Sequence, residues 1–554
     1  MKMKFWNRTD DSGRYWKWAR MVVLLILGVL LNSECLLPLQ KTTNLGNQPL
    51  SLSLQEKTAF DKNLYHQYQF PFISYSCLPQ HIHLSQASNI NDNDAAVDMT
   101  ISFELDFSQC QNLPSPPYII YGKQQPQNYW KLLLLQNERQ VAGSPLRYNF
   151  TSSLSGEYFE SNWIYHVTLP NLVPHQEYWY QIIVPTTANF DGLHLQTTPS
   201  LFNLRGLRSL GGKSPVLHFR TPPTSTTPTS IALVGDIGQT LNSTKTMAHI
   251  YKSATSSNCH HHHPPPPPPI SLVMIAGDLS YADSDPHRWP RWLSLMEPLL
   301  RRVPLATAAG NHEIECDETT GNVFVPYEHL FHNANRLGPA EMAPVQNTTK
   351  GWCSTPSQFL GRYNYGNAFY TFRHGLAQII VLNSYSDTSP ESVQYRFLQQ
   401  TLQEYNRRTA PWLVVVFHCP IYTTFAGHVN ETQAVRMKQS MEPLFISHGV
   451  NFVVTGHDHA YSRSKPIGNN NGGRGRGPIY LALGAGGNRE RHSPGYQHVS
   501  VPESWIATRT LEDYGYGKLF LANATHAHVT WVKDFVEHPA SNFSDRVWIE
   551  NQYR

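Results

Sequence analysis

The chain has 554 residues, and its 43 basic and 40 acidic side chains leave a formal net charge of +3. That balance argues against a polyanion such as nucleic acid as an obligate partner. The length accommodates two domains.

Residues 1–20 carry Lys2, Lys4, Arg8, Arg14, Lys17 and Arg20, and an apolar run follows over 21–31. That run falls short of the about 20 residues that span a bilayer, so 1–35 reads as a signal peptide with a long basic front, cleaved near Cys35. An uncleaved signal anchor in the membrane is the alternative. Beyond it, six sequons at Asn149, Asn242, Asn347, Asn430, Asn523 and Asn542 agree with a secretory route. The expected destination is the medium or a vacuole.

Residues 36–75 are polar, lack sustained periodicity and read as a lead-in without chemistry. From 76 to 221 the signals are short strands with turn punctuation, at 99–107, 117–121, 163–169 and 178–184, which predicts a β-sandwich. His81 and His83 alternate on a strand there and read as surface residues. The Pro- and hydroxyl-rich stretch 222–229 is the expected domain linker, and a second domain runs from 230 to 554. A low-complexity insert at 256–269 holds His260 to His263 followed by six prolines. It reads as an exposed loop outside any active site.

In the second domain five apolar runs each end in a polar turn. Residues 231–234 lead into Gly235-Asp236-Ile237-Gly238, 272–276 into Gly277-Asp278-Leu279-Ser280-Tyr281, and 305–309 into Gly310-Asn311-His312-Glu313. Residues 412–417 end at His418, and 450–455 lead into Gly456-His457-Asp458-His459. Open α/β sheets place ligands beyond the carboxyl ends of their strands. Five strand ends thus deliver two Asp, one Asn, one Tyr and three His, a mixed oxygen and imidazole set suited to two adjacent first-row metal ions. Between these strands Val393, Phe397, Leu398, Leu402 and Tyr405 recur near helical spacing, as do Ala434, Met437, Met441, Leu444 and Phe445. Strand and helix alternation predicts a layered α/β domain.

The five blocks together resemble the purple acid phosphatases, binuclear metallophosphoesterases with the pattern Gly-Asp-x-Gly, Gly-Asp-x-x-Tyr, Gly-Asn-His-Asp/Glu, Val-x-x-His and Gly-His-x-His. Tyr281 is the most discriminating position, since many other metallophosphoesterases lack it. Residues 99–103, 118–122 and 172–180 are similar to the fibronectin type III-like front domain of the large plant-type forms. Residues 478–488 and 523–527 also look like that family. The resemblance implies two sheets sandwiched between helices in the catalytic part.

It further implies one site of Asp236, Tyr281 and His459 on Fe(III), a second of Asn311, His418 and His457 on a divalent ion (Zn, Fe or Mn), and Asp278 bridging both. A hard phenolate suits the trivalent ion, and an amide with two imidazoles suits the divalent one. His312 and His428 match the family's histidines that bind phosphate and help the leaving group depart. The family often has a His pair at the latter place, and here the preceding residue is Gly427. Glu313 is read either as orienting His312 or as a solvated carboxylate.

These readings converge on an acid phosphatase that hydrolyses phosphate monoesters with hydroxide from metal-acidified water. The alternatives are phosphodiesterase or phytase-like specificity on the same centre, or a secreted binding module with a vestigial metal site. Its partners would be small phosphate esters, with no nucleic acid and no stable membrane span after signal cleavage. A homodimer is compatible with the family. With Cys35 removed, six of seven cysteines remain. Cys316 and Cys353 bracket a polar segment and are expected to pair, as are Cys77 and Cys110. Cys419, beside His418, reads as a buried small residue rather than a nucleophile.

Overall fold

The computed structural model describes residues 77–553, except 89–93, 112, 124–137, 186–211, 257–266, 337–362, 469–475 and 535–542. The expected signal segment, the lead-in, the His tract, Cys353 and the sequons at Asn347 and Asn542 lie outside the described residues.

The front part is all β. Strands β1 (Gln80–Gln86), β2 (Val97–Leu105) and β7 (Trp163–Leu172) form one antiparallel sheet, and β3 (Tyr118–Gly122), β4 (Glu138–Val141), β8 (Glu177–Ile183) and β9 (Leu217–Arg220) form a second in the order β4-β3-β8-β9. Strands β5 (Asn149–Thr151) and β6 (Tyr158–Glu160) make a separate hairpin. Alternate residues point inward, so Leu84, Met99, Ile101, Phe103 and Val167 meet Ile119, Tyr121, Tyr180 and Ile182 in one core. The Cys77–Cys110 disulfide is present in this part. Cys316 is disulfide-bonded too.

His81 and His83 are not surface residues. They are 7% and 5% exposed, because β1 is covered on its outer side by helix α2 (Arg288–Leu300) and the segment after α3 (Val325–Leu330). His81 pairs with Glu104 at 3.1 Å, its backbone N–H donates to Glu297 at 2.8 Å, and His83 Nε2 donates to the Leu330 carbonyl at 3.1 Å. Strand alternation reports which residues share a face, but not what later folds over that face. The stretch 222–229 is also tied down, with the Ser225 N–H donating to Asp94 at 3.0 Å and the Thr227 N–H to the Thr224 carbonyl at 3.1 Å.

The second part stacks two mixed sheets. The first has the order β12-β11-β10-β20-β21-β22, built from β10 (Thr229–Val234), β11 (Ile270–Ala276), β12 (Leu305–Ala308), β20 (Gly515–Leu521), β21 (His526–Lys533) and β22 (Phe543–Glu550). The other runs β13-β14-β15-β16-β18-β17-β19, from β13 (Tyr370–His374), β14 (Ala377–Val381), β15 (Trp412–Val416), β16 (Phe452–Thr455), β17 (Tyr461–Ser464), β18 (Ile479–Leu483) and β19 (Ile506–Thr510). Strands β10, β11 and β12 are parallel to one another, as are β14, β15, β16 and β18.

Ile231, Leu233, Leu272 and Met274 face Val414, Val416, Phe452 and Val454 between the sheets. Their sequence neighbours Ala232, Val234, Val273, Ile275, Leu413, Val415 and Val453 pack outward in a second core that contains α1 (Leu241–Thr255), α2, α4 (Val393–Glu404), α5 (Thr432–Ser440) and α6 (Glu442–Ser447). Burial on both faces explains why these strands read as unbroken apolar runs rather than alternations. The predicted helices after 393 and 432 are present, the latter broken at Met441 where Pro443 opens α6. Among the described residues no helix is long and apolar enough to cross a membrane.

Candidate metal centre

Strands β10, β11, β12, β15 and β16 all end at one edge of the stacked sheets, and the five polar turns meet there. Their backbones bend sharply to do so. Asp236, Asp278, Tyr281 and His457 have φ values of 56, 54, 53 and 66°, a left-handed conformation that costs non-glycine residues energy and concentrates at functional sites. Two glycines permit the close approach: a Cβ on Gly310 would lie 2.1 Å from the Asp278 carboxylate, and one on Gly456 would lie 2.4 Å from that of Asp236.

The predicted side chains gather in two groups. In the first, Tyr281 Oη lies 3.1 Å from Asp236 Oδ1 and 3.0 Å from His459 Nε2, and His459 Nε2 lies 3.3 Å from Asp236 Oδ1. In the other, His418 Nε2 lies 3.0 Å from both Asp278 Oδ2 and Asn311 Oδ1. Asp278, His418 and His457 bring a ligand atom each within 4.8 Å of one another. Thus His457 and His459, two residues apart, turn into different groups, as a turn after glycine allows.

The donor chemistry of the second group calls for a cation. His418 Nδ1–H donates to the Ala276 carbonyl at 2.8 Å, so the neutral ring presents a lone pair at Nε2. Asn311 Oδ1 is held as an acceptor by the Tyr385 hydroxyl at 3.1 Å. With that ring neutral, a lone pair, an amide oxygen and a carboxylate oxygen converge, a gap that either a proton on Nε2 or a bound cation fills. The same demand appears in the titration of the groups. Burial opposes charge on His418, yet the carboxylates of Asp278 and Asp236 lift it to about 9. Burial likewise raises Asp278, but the imidazoles of His418 and His312 outweigh it and hold the carboxyl far below its usual range. Tyr281 is driven the other way, its phenol held well above its ordinary value by burial and by Asp236 and Asp278. Only a bound cation would ionise it. The residues present thus fit a two-metal centre.

His312 and His428 flank these groups. His312 Nδ1–H donates to Asp283, its backbone N–H donates to Asp278 Oδ1 at 2.9 Å, and its Nε2 faces Asp278 Oδ2 at 3.9 Å and Glu490 Oε1 at 3.6 Å. Burial lowers its pKa, but Asp278 and Glu490 raise it to about 9. His428 sits at the rim, with 32% of its side chain exposed, and its Nδ1–H donates to Glu431 Oε1 at 2.8 Å. Its ring lies 4.0 Å from that of His457.

Glu313 does not touch His312 in the expected way and is not solvated. It is fully buried, and its carboxylate accepts the backbone N–H groups of Asp278, Leu279 and Gly310, each at 2.8 Å. The short helical turn Asn311–Glu313 directs the two neighbouring side chains apart. Several partners escaped the sequence reading. Asp283 binds both His312 and Arg489, while Glu431 accepts from His428 and, at 3.0 Å, from His457 Nε2. Only the His428-x-x-Glu431 spacing at the start of α5 could have signalled the latter.

Comparison with known proteins agrees with this geometry. Residues 229–461 match the calcineurin-like phosphoesterase family, and 477–540 match the iron/zinc purple acid phosphatase-like protein C family. The chain is 33% identical to purple acid phosphatase 18 of Arabidopsis thaliana, over 62% of this chain and 67% of that one. It is 31% identical to purple acid phosphatase 22 of the same plant, over 65% and 72%. The fold is similar to that of purple acid phosphatase PPD1 from yellow lupin seeds, with a TM-score of 0.62 at 18% identity, covering 86% of this chain and 74% of that one. The chain belongs to the purple acid phosphatase family.

Proposed function

We propose that the chain hydrolyses phosphate monoesters at a pair of metal ions held by Asp236, Tyr281 and His459 on one side and Asn311, His418 and His457 on the other, with Asp278 serving both. The observation that carries this reading is the convergence of Asn311 Oδ1 and Asp278 Oδ2 on His418 Nε2, each at 3.0 Å. A phenolate from Tyr281 favours Fe(III) in the first group, and the neutral donors of the second favour Zn(II), Fe(II) or Mn(II).

When bound, the two cations would neutralise the phosphoryl oxygens and acidify a water. The rest falls to the chain. His312, fixed through Nδ1 by Asp283, turns Nε2 toward the site and can hold a phosphoryl oxygen. His428, oriented by Glu431 at the open rim, is placed to give a proton to the departing alkoxide. Glu431 and Asp283 act through these imidazoles as positioning residues. Glu313 holds the turn that aims Asp278.

The reading is tested by chelating the purified protein and restoring metals singly. Hydrolysis of a simple monoester should vanish, stay absent with zinc or manganese alone, and return when iron is supplied with a divalent ion, a place that iron(II) can also fill. Hydrolysis that survives complete metal removal would refute it.

A further inference from the structure

A second group of candidate ligand atoms shares His457. Cys419 is 1% exposed and is the free cysteine among the described residues. Its Sγ lies 3.4 Å from Glu431 Oε2, and that oxygen lies 3.0 Å from His457 Nε2. Gln433 Nε2 also donates to Glu431 Oε2, at 2.6 Å, and so fixes the carboxylate in place. Ligand atoms from Cys419, Glu431 and His457 all lie within 4.8 Å of one another.

A thiol, a carboxylate and an imidazole on one short perimeter are the donor types of tetrahedral zinc sites. With Zn–S about 2.3 Å and Zn–O and Zn–N about 2.0–2.2 Å, the edges of such a tetrahedron are about 3.6 Å for S···O and about 3.4 Å for N···O. The observed 3.4 and 3.0 Å fall short by only a few tenths of an ångström. Neither Asn311 nor Tyr281 offers sulfur, so the first two metal groups lack this softness.

We propose that Cys419, Glu431 and His457 form an inhibitory site for a thiophilic divalent cation of the zinc and cadmium class, beside the catalytic pair; this rests on the reading of His457 and Glu431 given above. On binding, the Cys419 thiol releases its proton to solvent and forms the metal–sulfur bond. The His457 proton moves from Nε2 to Nδ1, and Nε2 donates its lone pair. A neutral imidazole has one lone pair, so His457 then serves the new cation and leaves the catalytic set. Glu431 supplies Oε2 to the cation and keeps His428 on Oε1. One ion therefore removes a ligand from the catalytic pair. No electrons are transferred.

The holoenzyme and its Cys419→Ser variant are titrated with cadmium alone, following the sulfur-to-cadmium charge-transfer absorption and, separately, monoester hydrolysis. Cys259 beside His260 is a second soft ligand, but both proteins carry it and the difference between them removes it. The expected result is a saturable absorption present in the parent and missing from the variant, with the half-inhibiting cadmium concentration raised about 10- to 100-fold. Identical spectra and identical inhibition would overturn the proposal, placing cadmium in the catalytic pair alone. Should Cys419→Ser not fold, Cys419→Ala is read by the same criteria. The absorption difference is measurable without catalysis, so failure of the phosphatase reading would not be mistaken for failure of this site.

Discussion

His418 Nε2 faces Asp278 Oδ2 at 3.0 Å while its other nitrogen is committed to the Ala276 carbonyl. The pair is poised for a cation, and a neutral amide in place of the carboxylate breaks it. Asp278→Asn should therefore lower the metal content below two per chain and cut kcat by about a thousandfold or more, the scale of losing a central electrostatic group. Metal analysis alongside kinetics checks this. Full metal content with undiminished kcat would contradict it.

The proton role proposed for His428 separates from metal binding by substrate. In His428→Ala, hydrolysis of an ester with a good leaving group should fall little, because the departing anion needs no proton. With a poor alkoxide leaving group the loss should reach about 10²- to 10⁴-fold. Equal losses on both substrates would remove His428 from that role. Glu431→Gln should show the same pattern more weakly, together with some loss of metal, since both imidazoles remain but the carboxylate that orients His428 and His457 is gone.

Glu313 offers a structural test. Glu313→Gln keeps the shape but sets an amide NH₂ against backbone N–H groups from Asp278, Leu279 and Gly310. The expected cost is about 1–3 kcal/mol of stability, accompanied by easier metal loss because the Asp278 turn loosens. Denaturation and chelation rates measure the two effects.

Acid sensitivity should trace in part to His374, far from the centre at the end of β13. Its Nδ1–H donates to Gln86 Oε1 at 3.3 Å and its Nε2 accepts from Ser271 at 2.9 Å. Burial holds its pKa down to about 3, against 6.5 unperturbed. The lowered value means that the unfolded chain takes up a proton in this range and the folded one does not. The contribution is complete above the unfolded value and shrinks as pH falls toward the folded one. At pH 4 the loss is on the order of 3 kcal/mol. His374→Gln should lose less melting temperature than the parent between pH 7 and pH 4. Parallel slopes would refute the assignment.

Much of the centre was legible because five buried strands leave unbroken apolar runs in the sequence, four followed by glycine and a polar side chain and the fifth running straight into His418. Asp236, Asp278, Tyr281, Asn311, His418, His457 and His459 all arrive that way, and the structure gathers all seven. What could not be read depends on how separate segments fold together. Glu431 meets His457 across 26 positions, and Asp283 meets Arg489 from a different loop. Adjacency misled in the case of Glu313, whose neighbour His312 points elsewhere. His81 and His83 misled because the helix that buries them lies more than two hundred residues away in sequence.

The most direct test of the account is the visible absorption of the purified protein before and after mild reduction, together with its Tyr281→Phe variant. A Tyr281 phenolate on Fe(III) requires a charge-transfer band that gives the protein a purple colour, is lost when that ferric ion is reduced, and is absent from the variant. A colourless protein that holds two metal ions per chain and hydrolyses monoesters at full rate would contradict the ferric tyrosinate at the centre of this account.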